Sequence, residues 1–379
     1  MRTFPADPAL RPASGWLARL QDGRFPHIDA LRALAVSMVV VGHASGVGPK
    51  DAGVTIFFVI SGYVIAASSL RERDRTGGFS ITGFYLRRAI KLAPPFLVCI
   101  AIPTAMIWLA GARLNGLAVA SQFFFAYNWL EIVDGPAAAA VLPGSPVVWS
   151  LAVEEQFYIL FALGWLVASR SRRPLFATGL VCVAIIVLVA IWRFILATIP
   201  DTTVHILRGT DTRADAIAGG VLLAIVIAGL SDSALVRRVL GSPWLLLGAA
   251  AVFVATLEVA GDFFTHTIRY SIHWACAAVF IAFGVVGEGK VLAIANRVSS
   301  IWPVRLVGLA SYSIYLAHDV VGEWLRPVLS GLPHPGVVVT VIAAGMLAGV
   351  VIYLVVEIPA LRLRRSLPGQ VAKPPSSSK

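Results

Sequence analysis

The sequence predicts an all-α polytopic integral membrane protein of about ten transmembrane helices, with both termini in the cytoplasm. Of its 379 residues, 58% are hydrophobic and 13% charged, and the mean hydropathy is +0.82. So few charges cannot cover a water-soluble globule of this size. Apolar runs long enough to span recur near residues 29–47, 52–70, 89–111, 147–168, 175–197, 213–230, 243–260, 270–287, 305–327 and 336–357. The basic residues give the orientation. With the N-terminus inside, the cytoplasmic segments hold 23 of the 31 Lys and Arg, the opposite side holds six, and Arg32 and Arg193 lie within spans. This is the asymmetry of the positive-inside rule, and it accounts for the net charge of +11 without a nucleic-acid partner. Cys99, Cys182 and Cys276 fall in apolar runs without paired spacing, so neither a disulfide framework nor a metal site is expected.

Residues 1–27 hold four prolines and mixed charges with no apolar period, and are expected to be a flexible cytoplasmic tail. The first span, I-D-A-L-R-A-L-A-V-S-M-V-V-V-G-H-A-S-G, carries Arg32 and His43 eleven positions apart. Eleven steps of about 100° come to roughly three turns, so both side chains share one face, about 16 Å apart along the axis. Ionisable groups in a membrane span are costly and turn toward a bundle interior or wet cleft, which marks this face as functional. In the second span Ser61 and Gly62 sit mid-membrane. Small residues there let helices approach closely; alternatively Ser61 hydrogen-bonds a ligand or His43. Next, Y-L-R-R-A-I-K-L-A-P-P gathers Arg87, Arg88 and Lys91 on one side of a helix. That cluster suits a polyphosphate, or serves only the topology. The long outer loop, 112–148, includes an aromatic run suited to a short interfacial or re-entrant helix.

The fourth span opens W-S-L-A-V-E-E-Q-F-Y. Adjacent Glu154 and Glu155 cannot point the same way on a helix, so one faces a cavity while the other pairs elsewhere, with Tyr158 one turn from Glu154 on its face. Asp211, Arg213 and Asp215 gather where the sixth span begins, as a solvated salt-bridge cluster or a substrate-facing group. His266 and His273 are expected at the interface. In the ninth span Tyr312, Tyr315 and His318 form a polar stripe three residues apart. The tenth ends V-E-I-P, with Glu357 near Arg362 as a cytoplasmic stop, and residues 359–379 form a basic, Pro/Ser-rich cytoplasmic tail.

These stretches, in this order, resemble the bacterial acyltransferase family 3 of membrane O-acyltransferases. The matching segments are I-D-A-L-R-A-L-A with His43, F-F-V-I-S-G-Y-V-I, Y-L-R-R-A-I-K-L-A-P-P, W-S-L-A-V-E-E-Q-F-Y, T-R-A-D-A-I-A-G-G, Y-S-I-Y-L-A-H and V-E-I-P, covering most of residues 28–358. The resemblance implies a transmembrane acyltransferase domain over 28–358 in the cell inner membrane. It implies acetyl-CoA or another acyl-CoA as co-substrate, no permanently bound cofactor, and a carbohydrate or envelope glycan acceptor, lipid-linked glycans included. It also implies function for Arg32 and His43 and for the basic motif Arg87, Arg88 and Lys91. Lys91 stands where an arginine is common, which keeps the charge but loses the bidentate fork. Nothing after Glu357 resembles the esterase-like domain fused to some relatives.

The expected mechanism uses His43 as general base on an acceptor hydroxyl, with Glu154 orienting it or stabilising the imidazolium. Ser61, Tyr158, Tyr312 or Tyr315 would supply oxyanion donors, and Glu155, Arg213, Asp215 and His318 are further substrate candidates. The topology puts the CoA phosphates at the cytoplasmic basic cluster, the pantetheine arm past Arg32 and the acceptor on the outer side. The alternatives are O-acylation of a secreted small molecule such as a macrolide, and a proton-coupled transporter. No inverted repeat between the halves supports the transporter.

Overall fold

The computed structural model describes residues 26–366 except 231, 232, 258 and 260. All but the last two residues of the expected N-terminal tail, the C-terminal tail beyond 366, and Glu258 lie outside the described residues. Among the described residues every regular element is helical. In chain order they are α1 (Pro26–Ser45), α2 (Lys50–Thr76), α3 (Ile81–Phe96), α4 (Ile102–Leu109), α5 (Gly116–Phe123), α6 (Tyr127–Val133), α7 (Gly135–Ala139), α8 (Trp149–Ala168), α9 (Pro174–Leu196) and α10 (Thr203–Arg208). There follow α11 (Thr210–Leu230), α12 (Ala234–Leu240), α13 (Pro243–Ala255), α14 (Asp262–Val286), α15 (Gly289–Ser299), α16 (Trp302–Leu309), α17 (Ser311–Leu325), α18 (His334–Ile352) and α19 (Ile358–Ser366).

Among the described residues eight helical runs are long and apolar enough to cross a membrane, or nine if α12 and α13, bent by 42°, form one span. The protein is therefore a multi-pass membrane protein, with fewer clear spans than the ten expected. The difference lies at 305–327, where the chain breaks into α16 and α17 around Ala310. At 15 residues α17 is about 22 Å long, short of a bilayer core of about 30 Å. It is an interior helix, with Ser311, Ser313, Tyr315 and His318 all buried.

The bundle is built around α2, 78% of whose apolar window lies inside the protein, against 22% for α9. Leu180, Val181 and Leu188 of α9 are exposed as lipid-facing residues would be. The contact of α2 with α11 is made by facing glycines: a Cβ at Gly62 would overlap the Ile217 carbonyl, and one at Gly220 the Val59 carbonyl. With no hydrophobic drive between helices in lipid, this close approach supplies packing that side chains would prevent.

Two wide π turns lie next to prolines. Pro94 and Pro95 each lack the N–H that α3 would need, and the helix widens at Leu97–Ala101 before continuing as α4. Ahead of Pro359 the same widening at Tyr353–Glu357 turns Glu357 inward, where its Oε2 accepts from Ser313 Oγ at 2.8 Å. Glu357 is thus an interior group, and the expected cytoplasmic stop with Arg362 is replaced by this inward bond. The 112–148 loop holds the short helices α5 to α7, as its aromatic run predicted. It is pinned by Gln156, which donates to the Phe125 carbonyl at 2.7 Å and accepts from Trp129 Nε1 at 3.0 Å.

Candidate active site

A cavity of about 300 Å³ opens between α1, α2, α3, α8 and α17. Its polar lining comes from Arg32, Ser61, Arg87, Arg88, Lys91, Ser150, Glu154, Tyr158, Tyr312 and Tyr315, and its apolar lining from residues such as Val54, Phe57 and Phe84. An apolar body with a few convergent polar groups is the usual form of a small-molecule site. The cavity gathers nine of the fourteen residues singled out in the sequence, from five stretches of chain up to 283 positions apart.

One end is cationic. Arg87 Nη2 pairs with Glu72 Oε2 at 2.5 Å, and Arg88 Nη2 with Glu155 Oε1 at 2.5 Å. The Arg88 guanidinium also lies flat over Tyr158, 3.6 Å from the ring centroid. These two arginines are held by protein partners. Arg32 and Lys91 make no hydrogen bond or ion pair to another described residue, although Lys91 lies within electrostatic reach of Arg32 and Glu357. Two cations facing space with no partner leave room for an anionic ligand. Glu155 faces Arg88, while Glu154 turns into the cavity and accepts from Tyr158 OH at 3.2 Å. The two carboxylates diverge as the helical step requires. Ser61 Oγ shares a short hydrogen bond with Tyr158 OH, so Ser61 serves the cavity while its neighbour Gly62 serves the packing.

The other end is closed by α17. Tyr312 OH donates to the Leu92 carbonyl at 3.0 Å, and Tyr315 OH lies 2.6 Å from Ser150 Oγ and donates to the Val147 carbonyl at 3.0 Å. One turn further along the stripe, His318 Nε2 lies 2.9 Å from His43 Nδ1, the rings stacked with centroids 5.1 Å apart. His43 is absent from the cavity lining and sits one ring beyond Tyr315. The expectation that Glu154 orients His43 is corrected here: the ring that bonds His43 belongs to His318. The reason is antiparallel geometry. From the Ser150–Tyr315 bond, α8 runs four residues toward Arg88 before reaching Glu154, while α17 runs three residues the opposite way to reach His318. At 1.5 Å per residue this separates them by roughly 10 Å along the axis. His43, His318 and Asp319 bring ligand-competent atoms within 4.8 Å of one another, so these three are the groups that could hold a cation. Beyond the two rings Arg326 Nη2 donates to the His43 carbonyl at 2.8 Å, and Arg208 pairs with Glu131 of α6. Burial pushes the Glu131 carboxyl above the usual carboxylate range, with Arg208 opposing.

Arg213 and Asp215 are neither solvated nor at the cavity. Both are buried, each 1% exposed. Arg193 Nη2 donates to Asp215 Oδ2 at 2.7 Å and to Ser271 Oγ at 2.7 Å, and Arg213 donates to Thr55 Oγ1 at 2.9 Å beneath the Tyr270 ring. They knot α9, α11, α14 and α2 together. His273 is likewise buried rather than interfacial, 4.8 Å from Phe253 and near Thr256. Sequence reasoning missed Glu72 and Ser150 as partners in the site, Glu357 as an interior carboxylate, and the bond between His43 and His318. An uncompensated Glu in an apolar run before Pro359 was the available signal for Glu357. For the His pair it was that two separate apolar runs each carry one histidine.

A family model for an acyltransferase domain matches residues 25–356. The chain belongs to the acyltransferase 3 family. It is 30% identical over 321 residues to the peptidoglycan O-acetyltransferase OatA of Listeria monocytogenes serovar 1/2a, an alignment covering 80% of this chain and 50% of that protein. It is 28% identical over 323 residues to the O-acetyltransferase OatA of Staphylococcus aureus strain NCTC 8325, covering 80% of this chain and 51% of that protein. The chain thus spans about half the length of the curated relatives it matches. No solved structure matches it.

Proposed function

We propose that this protein is a membrane-bound O-acyltransferase of the cell inner membrane that moves an acyl group, in the first instance acetyl, from cytoplasmic acyl-CoA to a hydroxyl of an envelope glycan. The observation that carries this reading is the cation-ended cavity that stops one ring short of His43. The CoA phosphates would meet Arg32 and Lys91, whose charges have no partner, with Arg87 beside them. The pantetheine arm would run along the Glu154 and Tyr158 wall toward Tyr315. Family membership supports acyl transfer, and the names of the two relatives make peptidoglycan the first acceptor to try.

In this reaction the acceptor oxygen attacks the thioester carbonyl carbon as His43 Nε2 takes the hydroxyl proton. The tetrahedral oxyanion accepts a hydrogen bond from the Ser150 hydroxyl at the cavity end, which turns to it from the Tyr315 oxygen. Collapse breaks the C–S bond, and the departing thiolate takes the proton from the imidazolium. The products are an ester and free CoA thiol, and no other reactant is consumed. Mass spectrometry of envelope glycans and secreted metabolites, from cells with and without the protein, tests the reading: a glycan acyl increment should vanish without it. An unchanged glycan profile with a lost increment on a small secreted molecule would move the acceptor to that class.

A further inference from the structure

We infer that His318 is the positioning residue that fixes the tautomer of His43 and so keeps its reactive nitrogen bare. This deepens the proposed reaction and rests on the reading of His43 as its base. Four observations carry it. First, His318 Nδ1 faces two backbone carbonyls, Tyr315 at 2.8 Å and Ile314 at 3.2 Å. A carbonyl oxygen can only accept, so Nδ1 of His318 carries the proton. In a neutral imidazole the other nitrogen is then an acceptor, and this Nε2 is the atom 2.9 Å from His43 Nδ1. Second, the same logic passes one ring on. His43 Nδ1 must donate to His318, which leaves His43 Nε2 with its lone pair, and Nε2 bonds nothing among the described residues. The proton positions follow from the two carbonyls, without reference to a substrate.

Third, the relay is rigid. His318 is 2% exposed, and α18 packs directly on its backbone at Gly345, where a Cβ would lie 2.9 Å from the His318 Cα and 3.1 Å from its Cβ. A side chain there would crowd the His318 backbone, so the glycine lets α18 hold that backbone closely. Arg326 anchors the backbone that carries the other ring, donating to the His43 carbonyl at 2.8 Å. Fourth, Asp319 brings its carboxylate within the same 4.8 Å cluster, on the side of Lys50 and Arg326. When His43 takes the acceptor proton on Nε2 it becomes a cation, and its Nδ1–H to His318 becomes a charge-assisted bond with a carboxylate nearby. His318 thus does for His43 what a carboxylate does in other triads, without itself carrying a charge at rest.

The test compares three variants of the full chain in lipid nanodiscs with ¹⁵N-labelled histidine. His318→Met removes the acceptor with little loss of volume. His318→Gln restores an acceptor, its amide oxygen, near the place of Nε2. His43→Ala tests the base itself. The expected result is that His318→Met lowers kcat on the order of 10²-fold with the donor KM unchanged. His318→Gln should recover most of that loss, and the His43 nitrogen shifts should show a bare Nε2 in the wild type that becomes partly protonated in His318→Met. A merely structural role would move the melting temperature and leave the Gln rescue and the tautomer signal unexplained. If His43→Ala retains transfer, the base reading falls and this inference with it. If His43→Ala is inactive while His318→Met keeps full kcat and the bare Nε2, the inference alone falls. Should His318→Met fail to fold, a wild-type spectrum with the proton on His43 Nε2 overturns it equally.

Discussion

Two groups of charges lie inside this bundle, and they behave differently. In the knot of α9, α11 and α14, Arg193 and Asp215 are 0% and 1% exposed and pair with each other, and Arg193 also donates to the Thr212 carbonyl and the Ser271 hydroxyl. In the cavity, Arg32 and Lys91 face open space without an ion pair, and Arg87 and Arg88 are held at its rim by Glu72 and Glu155. The first group obeys the rule that intramembrane charge is costly and is compensated, while the second leaves two cations without an ion pair. The difference teaches that burial with a partner marks architecture, whereas a cation without a partner, facing a cavity, marks a place for a ligand's charge.

The largest effect on the fold is expected from breaking the knot. Arg193→Leu leaves Asp215 buried and uncompensated and should cost about 3–5 kcal/mol, read as a steep fall in melting temperature in detergent. Adding Asp215→Leu to that variant should recover much of the loss, because a replaced pair is far cheaper than a broken one. If Arg193→Leu melts like the wild type, the two charge groups are not distinct. In the cavity the same kind of change should spare the fold and strike binding. Arg32→Ala should weaken acyl-CoA binding about 10- to 100-fold, the worth of one charged contact, with an unchanged melting temperature. Glu154→Gln, which keeps the acceptor oxygen for Tyr158 but loses the charge, should lower turnover by about tenfold. The smallest effect is expected from Lys91→Arg. It keeps a cation at the same place beside Arg32, and should change donor affinity less than threefold, on the order of 0.5 kcal/mol.

Much of the site was legible in the sequence because a polar residue in an apolar run has to be compensated. Arg32, Ser61, Glu154, Tyr158, Tyr312 and Tyr315 stood out on that ground, and all six line one cavity. The divergence of Glu154 from Glu155 followed from the helical step alone. What could not be read was pairing between helices, because it depends on the level at which two antiparallel rods are docked. His43 was matched with the wrong partner for that reason, and Arg213 and Asp215 were set at an open mouth when Arg193 draws Asp215 into the core. The tenth span is not confirmed at α17, where hydropathy alone does not separate a helix buried in protein from one buried in lipid.

The separation of donor binding from proton transfer is tested most directly in His43→Ala. Titrate acyl-CoA onto the purified wild type and this variant, and measure transfer to a glycan acceptor in the same preparations. Because His43 lies outside the cavity lining, the donor is expected to bind both proteins within about threefold, a difference under about 0.7 kcal/mol. Transfer should fall by at least 10²- to 10⁴-fold, roughly the loss of a general base. A variant that still transfers at the wild-type rate, or one that loses the donor along with the reaction, would contradict the separation.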